Sequence, residues 1–220
     1  MPRLSIALIF GCAVLLLQGC VTSRSIDPAP EASLEVSAAS QAYRLGLQYA
    51  TGSGVPKDLA QAKRHFLRAA NLGFAPAQAT LGLMYEGGKG VERNLDTARR
   101  YYRLAAEQGN AQGQRRLGRM LVVGKGTEKD TARGRRLIEQ AAEQGDAAAE
   151  AMLGQLYLKG TGGPRNVEQG VRLLQEAASQ GYSPARVALG LLYAQGRDVP
   201  RDDATAARLF RKAAERKIGR

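Results

Sequence analysis

Residues 84–94 read Met-Tyr-Glu-Gly-Gly-Lys-Gly-Val-Glu-Arg-Asn, and Gly87-Gly88-Lys89-Gly90 is the first stretch that could do chemistry. Glycines around a lysine can cradle phosphate through backbone N–H groups. A phosphate loop, however, needs Gly-x-x-x-x-Gly-Lys-Ser/Thr between a strand and a helix. Here Lys89, and Lys125 in a similar run, are each followed by glycine. The single histidine, His65, has no histidine partner for a metal, and no Gly-x-Ser-x-Gly motif accompanies it. The two cysteines, Cys12 and Cys20, both precede the body of the chain. These residue types argue against an enzyme and against any metal or cofactor.

The glycines instead belong to a repeat. The pair Leu-Gly occurs at Leu45-Gly46, Leu81-Gly82, Leu117-Gly118, Leu153-Gly154 and Leu189-Gly190, a constant step of 36 residues. Gly52, Gly88, Gly124, Gly160 and Gly196 are in phase, and so are Gly73, Gly109, Gly145 and Gly181. A turn written five times is a connector, where glycine supplies a positive φ. Each unit reads as two helices. In the second, helix A runs near Ala75–Glu86, Asn94 caps helix B, and Gly109 ends it. Asp58, Asp130, Asn166 and Asp202 are the equivalent caps. Leu81, Met84 and Tyr85 form the buried stripe of helix A; Ala98, Tyr102, Ala105 and Ala106 form that of helix B, where His65 also falls as a packed residue. Glycine inside a helix, as at Gly82, costs about 1 kcal/mol against alanine, so it marks a close backbone approach. One unit cannot bury enough apolar surface alone, and the units must stack.

The pattern Ala-x-x-x-Leu-Gly-x-x-Tyr-x-x-Gly-x-Gly-Val, then Asp/Asn, then Ala-x-x-x-Tyr/Phe-x-x-Ala-Ala-x-x-Gly resembles the Sel-like repeat (SLR) family, a relative of the tetratricopeptide repeat. Ala77 through Gly109 matches nearly in full. Departures include Leu121 for the tyrosine, Gly163 for the valine and Asp198 for the second glycine. The resemblance implies an all-α, right-handed solenoid of five 36-residue helix-turn-helix repeats, at about 41–73, 77–109, 113–145, 149–181 and 185–217. It also implies a scaffold for protein complexes.

The N-terminus reads as an address. Arg3 precedes an apolar run from Leu4 to Leu17, which fits a signal peptide and is short for a membrane span. The run ends in Leu17-Gln18-Gly19-Cys20, similar to the lipobox of bacterial lipoproteins, with Gln18 where a smaller residue is usual. That likeness implies cleavage of residues 1–19 and lipidation of Cys20. Val21 in place of aspartate implies the outer membrane, on its periplasmic face. Loss of Arg3 takes the formal charge from +12 to about +11. Residues 21–40, rich in Ser, Ala and Pro, are expected to form a flexible tether reaching roughly 25 Å from the bilayer.

Two surfaces are candidates for binding. The concave face of a solenoid is its usual binding surface. On helix A it is expected to carry Tyr43, Arg44, Leu47, Leu83, Arg115, Arg116 and Arg119. Arg64, Arg100, Arg136, Arg172 and Arg208 are in phase on helix B, opposite its buried stripe. They would form an outer row, partly neutralised by Asp96 and Glu168 four residues before Arg100 and Arg172. The first surface suits a protein partner in the cell envelope. The second suits an acidic polysaccharide, as in exopolysaccharide export or assembly. Nucleic acid would suit the charge but not the export signal.

The lipid anchor makes a direct expectation. Cys20→Ser should move the protein from the membrane pellet to the soluble fraction on cell fractionation, and unchanged pelleting would contradict the anchor.

Overall fold

The computed structural model describes residues 29–215. Among them are ten α-helices and no strands. They pair as α1 (Ala29–Thr51) with α2 (Leu59–Asn71), α3 (Ala75–Gly87) with α4 (Leu95–Glu107), and α5 (Ala111–Val123) with α6 (Thr131–Glu143). The last pairs are α7 (Ala147–Lys159) with α8 (Val167–Ser179), and α9 (Ser183–Gln195) with α10 (Asp203–Glu215). Odd-numbered helices are helix A of a unit and even-numbered ones helix B. Each helix packs on the ones before and after it, and the pairs stack into a solenoid.

Caps and glycines set the helix limits. Every helix B begins on a side-chain cap: Asp58 accepts from the Ala60 and Gln61 N–H, and Asn94, Asp130, Asn166 and Asp202 each accept from the third N–H onward. Gly88 ends α3 at φ 68°, with its N–H donated to the Met84 carbonyl. The glycine-lysine run is therefore a helix C-cap. Asn94 N–H then donates to the Tyr85 carbonyl at 3.0 Å, which turns the chain back onto the helix it has just left.

The expected stripes are buried. Leu81, Ala98, Tyr102 and Ala105 are fully enclosed, and Met84 and Ala106 nearly so. Tyr85 is half-buried and stacks on Tyr101 at 5.9 Å between ring centroids. His65 is half-buried too, stacked on Tyr49 at 5.4 Å and 5°. Among the described residues no cluster of His, Cys, Asp or Glu is placed to hold a metal, and no helix is long and apolar enough to cross a membrane.

One expectation needs correction. Residues 29–40 are not a coil, because α1 begins at Ala29 and runs 23 residues where its counterparts run 13. Pro30 sits in the first turn, where its missing N–H costs nothing. The alanines, leucine and glutamates that follow are strong helix formers, and Ala39 is 1% exposed. The Ser- and Ala-rich composition that suits a tether here extends a helix. Residues 21–28, Cys20 and the apolar N-terminal run lie outside the described residues.

Gly82 has the role its position implied. A Cβ there would lie 2.5 Å from two ring carbons of Tyr102. Gly87, at the end of the same helix, has only the flexible Lys89 side chain within reach, at 3.6 Å. Alanine improves helix propensity at both by up to about 1 kcal/mol, while overpacking against the ring costs about 1–3 kcal/mol. Gly82→Ala should therefore lower Tm by several degrees while Gly87→Ala leaves it level or raises it. Equal shifts in a thermal melt would contradict the close approach.

Candidate functional site

Curvature defines the inner face. Helix A touches the next helix A at α3–α5 and α7–α9, and no two B helices approach as extensively. The A helices therefore line the tighter, concave side. An open cavity of about 720 Å³ lies there, across the first three units. Its apolar wall includes Leu47, Leu59, Phe66, Leu83 and Met84. Its polar wall holds Lys57, Lys89, Arg116 and Lys125, with Glu86 as the one carboxylate.

Glu86 organises that wall. Its Oε1 accepts from Arg119 at 2.5 Å and Lys125 at 3.0 Å, and its Oε2 accepts from the Tyr102 hydroxyl at 2.8 Å. Arg116 Nη1 stands 3.6 Å from Oε2. The glutamate comes from α3, the tyrosine from α4, the two arginines from α5 and the lysine from the following turn. The cluster thus ties unit two to unit three. Burial alone would raise the Glu86 pKa; the bonds from Tyr102 and Lys125 and the charges of Arg119 and Lys125 outweigh it and hold the carboxyl below its ordinary value. Burial first, then the bond to Glu86, pushes the Tyr102 hydroxyl well above its usual range, so it stays a donor. Arg116 Nε is buried with no hydrogen-bond partner.

The structure divides the sequence-predicted concave set. Leu47 and Leu83 meet Arg116 in the cavity wall, and Arg119 stands behind it on Glu86. Tyr43 does not join them. It is wedged between Phe66 and Phe74, at 5.6 and 5.3 Å between centroids, with its hydroxyl 3.3 Å from Thr80 Oγ1. It is a packing residue between units one and two. Arg44 is exposed beside Gln41, Leu45 and Gln48, in a separate recess. Arg115 is a strut between units three and four, 3.0 Å from Asp146, with only 14% of its side chain exposed. The arginine triplet is therefore no free basic patch: two members serve Glu86 and one serves Asp146.

The outer row is exposed at all five positions, Arg64, Arg100, Arg136, Arg172 and Arg208. Its expected neutralisation differs. Asp96 pairs with Arg99 rather than Arg100, and Arg172 pairs with Glu176 rather than Glu168. Pairing at three residues brings Asp96 and Arg99 to the same side of the first turn, and Glu176 lies one turn ahead of Arg172.

Sequence reasoning missed Lys57, Lys89 and Lys125 as lining residues. A signal for the first existed, since Lys57, Arg93, Lys129, Arg165 and Arg201 recur every 36 residues. They sit over the turn glycines: a Cβ on Gly52, Gly88, Gly124 or Gly160 would lie 3.2–3.4 Å from the Cβ of the basic residue five positions later.

A family model described as the Sel1 repeat matches residues 42–74, 75–110, 111–146, 147–182 and 183–217. The chain belongs to the Sel1 repeat family. Sel1 repeat proteins generally mediate protein–protein interactions, and their scaffolds are typically non-catalytic. Among solved structures, a Sel1 repeat protein from Oxalobacter formigenes is 32% identical, with 82% of this chain and 72% of that one covered at a TM-score of 0.75. A protective antigen present in uropathogenic Escherichia coli strains, with an SLR fold, is 35% identical at a TM-score of 0.71. The match covers 84% of this chain but 40% of that protein's length. An immunity protein from Pseudomonas aeruginosa shares the fold at 22% identity, 84% and 65% coverage and a TM-score of 0.53. No curated protein matches.

The Glu86 cluster sets a stability test. Its side chain is 8% exposed and its cationic partners are 25–40% exposed, so solvent screens part of the interaction. Glu86→Gln should cost about 1–3 kcal/mol at neutral pH. The folded-state pKa of Glu86 is lowered, so its contribution is full above the ordinary value of 4.5 and is lost as pH falls through the folded pKa. The gap between wild-type and Glu86→Gln denaturation midpoints should shrink below that pH. A gap independent of pH would remove the charge from the explanation. Glu150, whose carboxyl is raised chiefly by burial, titrates with the opposite sign and is common to both proteins.

Proposed function

We propose that this Sel1 repeat protein is a non-catalytic scaffold lipoprotein on the periplasmic face of the outer membrane, holding a protein partner in the groove of its first three units. The observation that carries this reading is the cavity on the concave side. A roughly 720 Å³ recess leaves Leu47 39% exposed beside Leu59, Leu83 and a cluster of cations. Apolar side chains left open in a recess, with charged residues around them, are what a buried partner side chain requires. The family's interaction role supports the protein partner. The apolar run ending at Cys20 supports the envelope address.

A second reading rests on the outer row. Arg64, Arg100 and Arg136 are exposed and make no ion pair among the described residues, which suits contact with an acidic polysaccharide.

The two readings separate by mutation. The intact lipoprotein is crosslinked in its own envelope, beside Leu47→Glu and beside Arg64→Glu/Arg100→Glu/Arg136→Glu. A defined protein adduct should be lost with Leu47→Glu and kept with the triple variant. Loss only in the triple variant, with uronic acid in the recovered material, would select the polysaccharide reading.

A further inference from the structure

The cavity holds more positive charge than its own carboxylate can use. Glu86 accepts three hydrogen bonds, from Arg119, Lys125 and Tyr102. Arg116 is left at 3.6 Å with a buried Nε that no acceptor reaches. A guanidinium whose donors are not all satisfied favours an acidic neighbour. Lys57 and Lys89 face the same space, are exposed, and make no ion pair among the described residues. Four cations therefore line a recess that contains one carboxylate, already engaged.

The other wall is apolar. Leu47, Leu59 and Leu83 line the same recess as the cations, an apolar surface that leaves a sugar ring's hydroxyls unpaired and accepts a hydrocarbon side chain. We propose that the cavity recognises an acidic peptide segment of the partner, in which an Asp or Glu lies beside a large apolar residue. The carboxylate would take the exposed ammonium groups of Lys57 and Lys89, with the Arg116 guanidinium beside them. The apolar neighbour would fill the space against Leu47 and Leu83. This deepens the scaffold reading and rests on it.

Charge complementarity of this kind acts on association and on specificity, so its removal is readable as lost binding. The probe is a random dodecapeptide phage library, panned on the full chain and on Lys57→Glu/Lys89→Glu. Both lysines are exposed, so the double variant should keep its Tm. The expected result is enrichment of peptides with Asp or Glu next to Leu, Ile or Phe. A synthetic consensus peptide, followed by fluorescence anisotropy, should bind at least about tenfold more weakly to the double variant, and more weakly as salt rises. Arg116→Met, which keeps an unbranched apolar stem and removes the guanidinium donors, should weaken it as well.

Three results would overturn the proposal: no enrichment over the bare support, enriched peptides without an acidic preference, or equal binding to Lys57→Glu/Lys89→Glu. Oligouronate binding that is lost in the double variant, without peptide binding, would assign the cavity to a sugar acid instead. The scaffold reading fails separately. If Leu47→Glu still abolishes the envelope adduct while the library shows no acidic preference, the groove stands and only the acidic peptide falls.

Discussion

The fold depends on how closely the two helices of a unit approach. At three units the contact is a helix A glycine against a helix B ring: Gly46 on Phe66, Gly82 on Tyr102 and Gly190 on Phe210. The other two use a different solution. Gly118 faces Gly134 and Gly154 faces Gly170, so backbone meets backbone, and Ile138 or Leu174 fills the space beside it. Either way the helices sit closer than two side chains would allow. Dispersion and burial accumulate along the seam, and each glycine's loss of helix propensity is small beside them.

This seam also makes the candidate site. The helix B position opposite the glycine is Phe66, Tyr102, Ile138, Leu174 and Phe210 in turn. Only in unit two does it carry a hydroxyl, and only unit two has an acid at the position of Glu86, against Ala50, Val122, Leu158 and Ala194. The packing that buries the tyrosine ring delivers its hydroxyl to that carboxylate. Arg119, similarly, stands where other units have Leu47, Leu83, Gln155 and Leu191.

The fold was legible because it is written in what the units share. Leucine, glycine and the Asp/Asn caps recur at one step, and each has a local physical meaning: burial, close approach, helix start. The site lies in what the units do not share. Leu47, Leu83 and Arg116 could be placed on the inner face by counting, and they meet there. Whether Arg115 is free or paired depends on where Asp146, 31 residues later, arrives in space. Tyr43 fails for the same reason, since its aromatic neighbours Phe66 and Phe74 come from the other helix and from the next unit. Residues 29–40 misled differently: serine and alanine suit a tether or a helix, and the tertiary contact at Ala39 decided between them.

The junctions between units are not alike. Units one and two are joined by Tyr43 against Phe74, an aromatic contact indifferent to salt. Units two and three are joined at Glu86, three and four by Arg115 with Asp146, and four and five by Arg165 with Asp198. Exposure of the basic partner is 14% at Arg115 and 53% at Arg165, so counterions reach the last joint far more readily. As a mechanical object the solenoid is thus a spring whose joints respond unequally to salt. Added salt should loosen the joint between units four and five first and leave the aromatic joint beside the cavity unchanged.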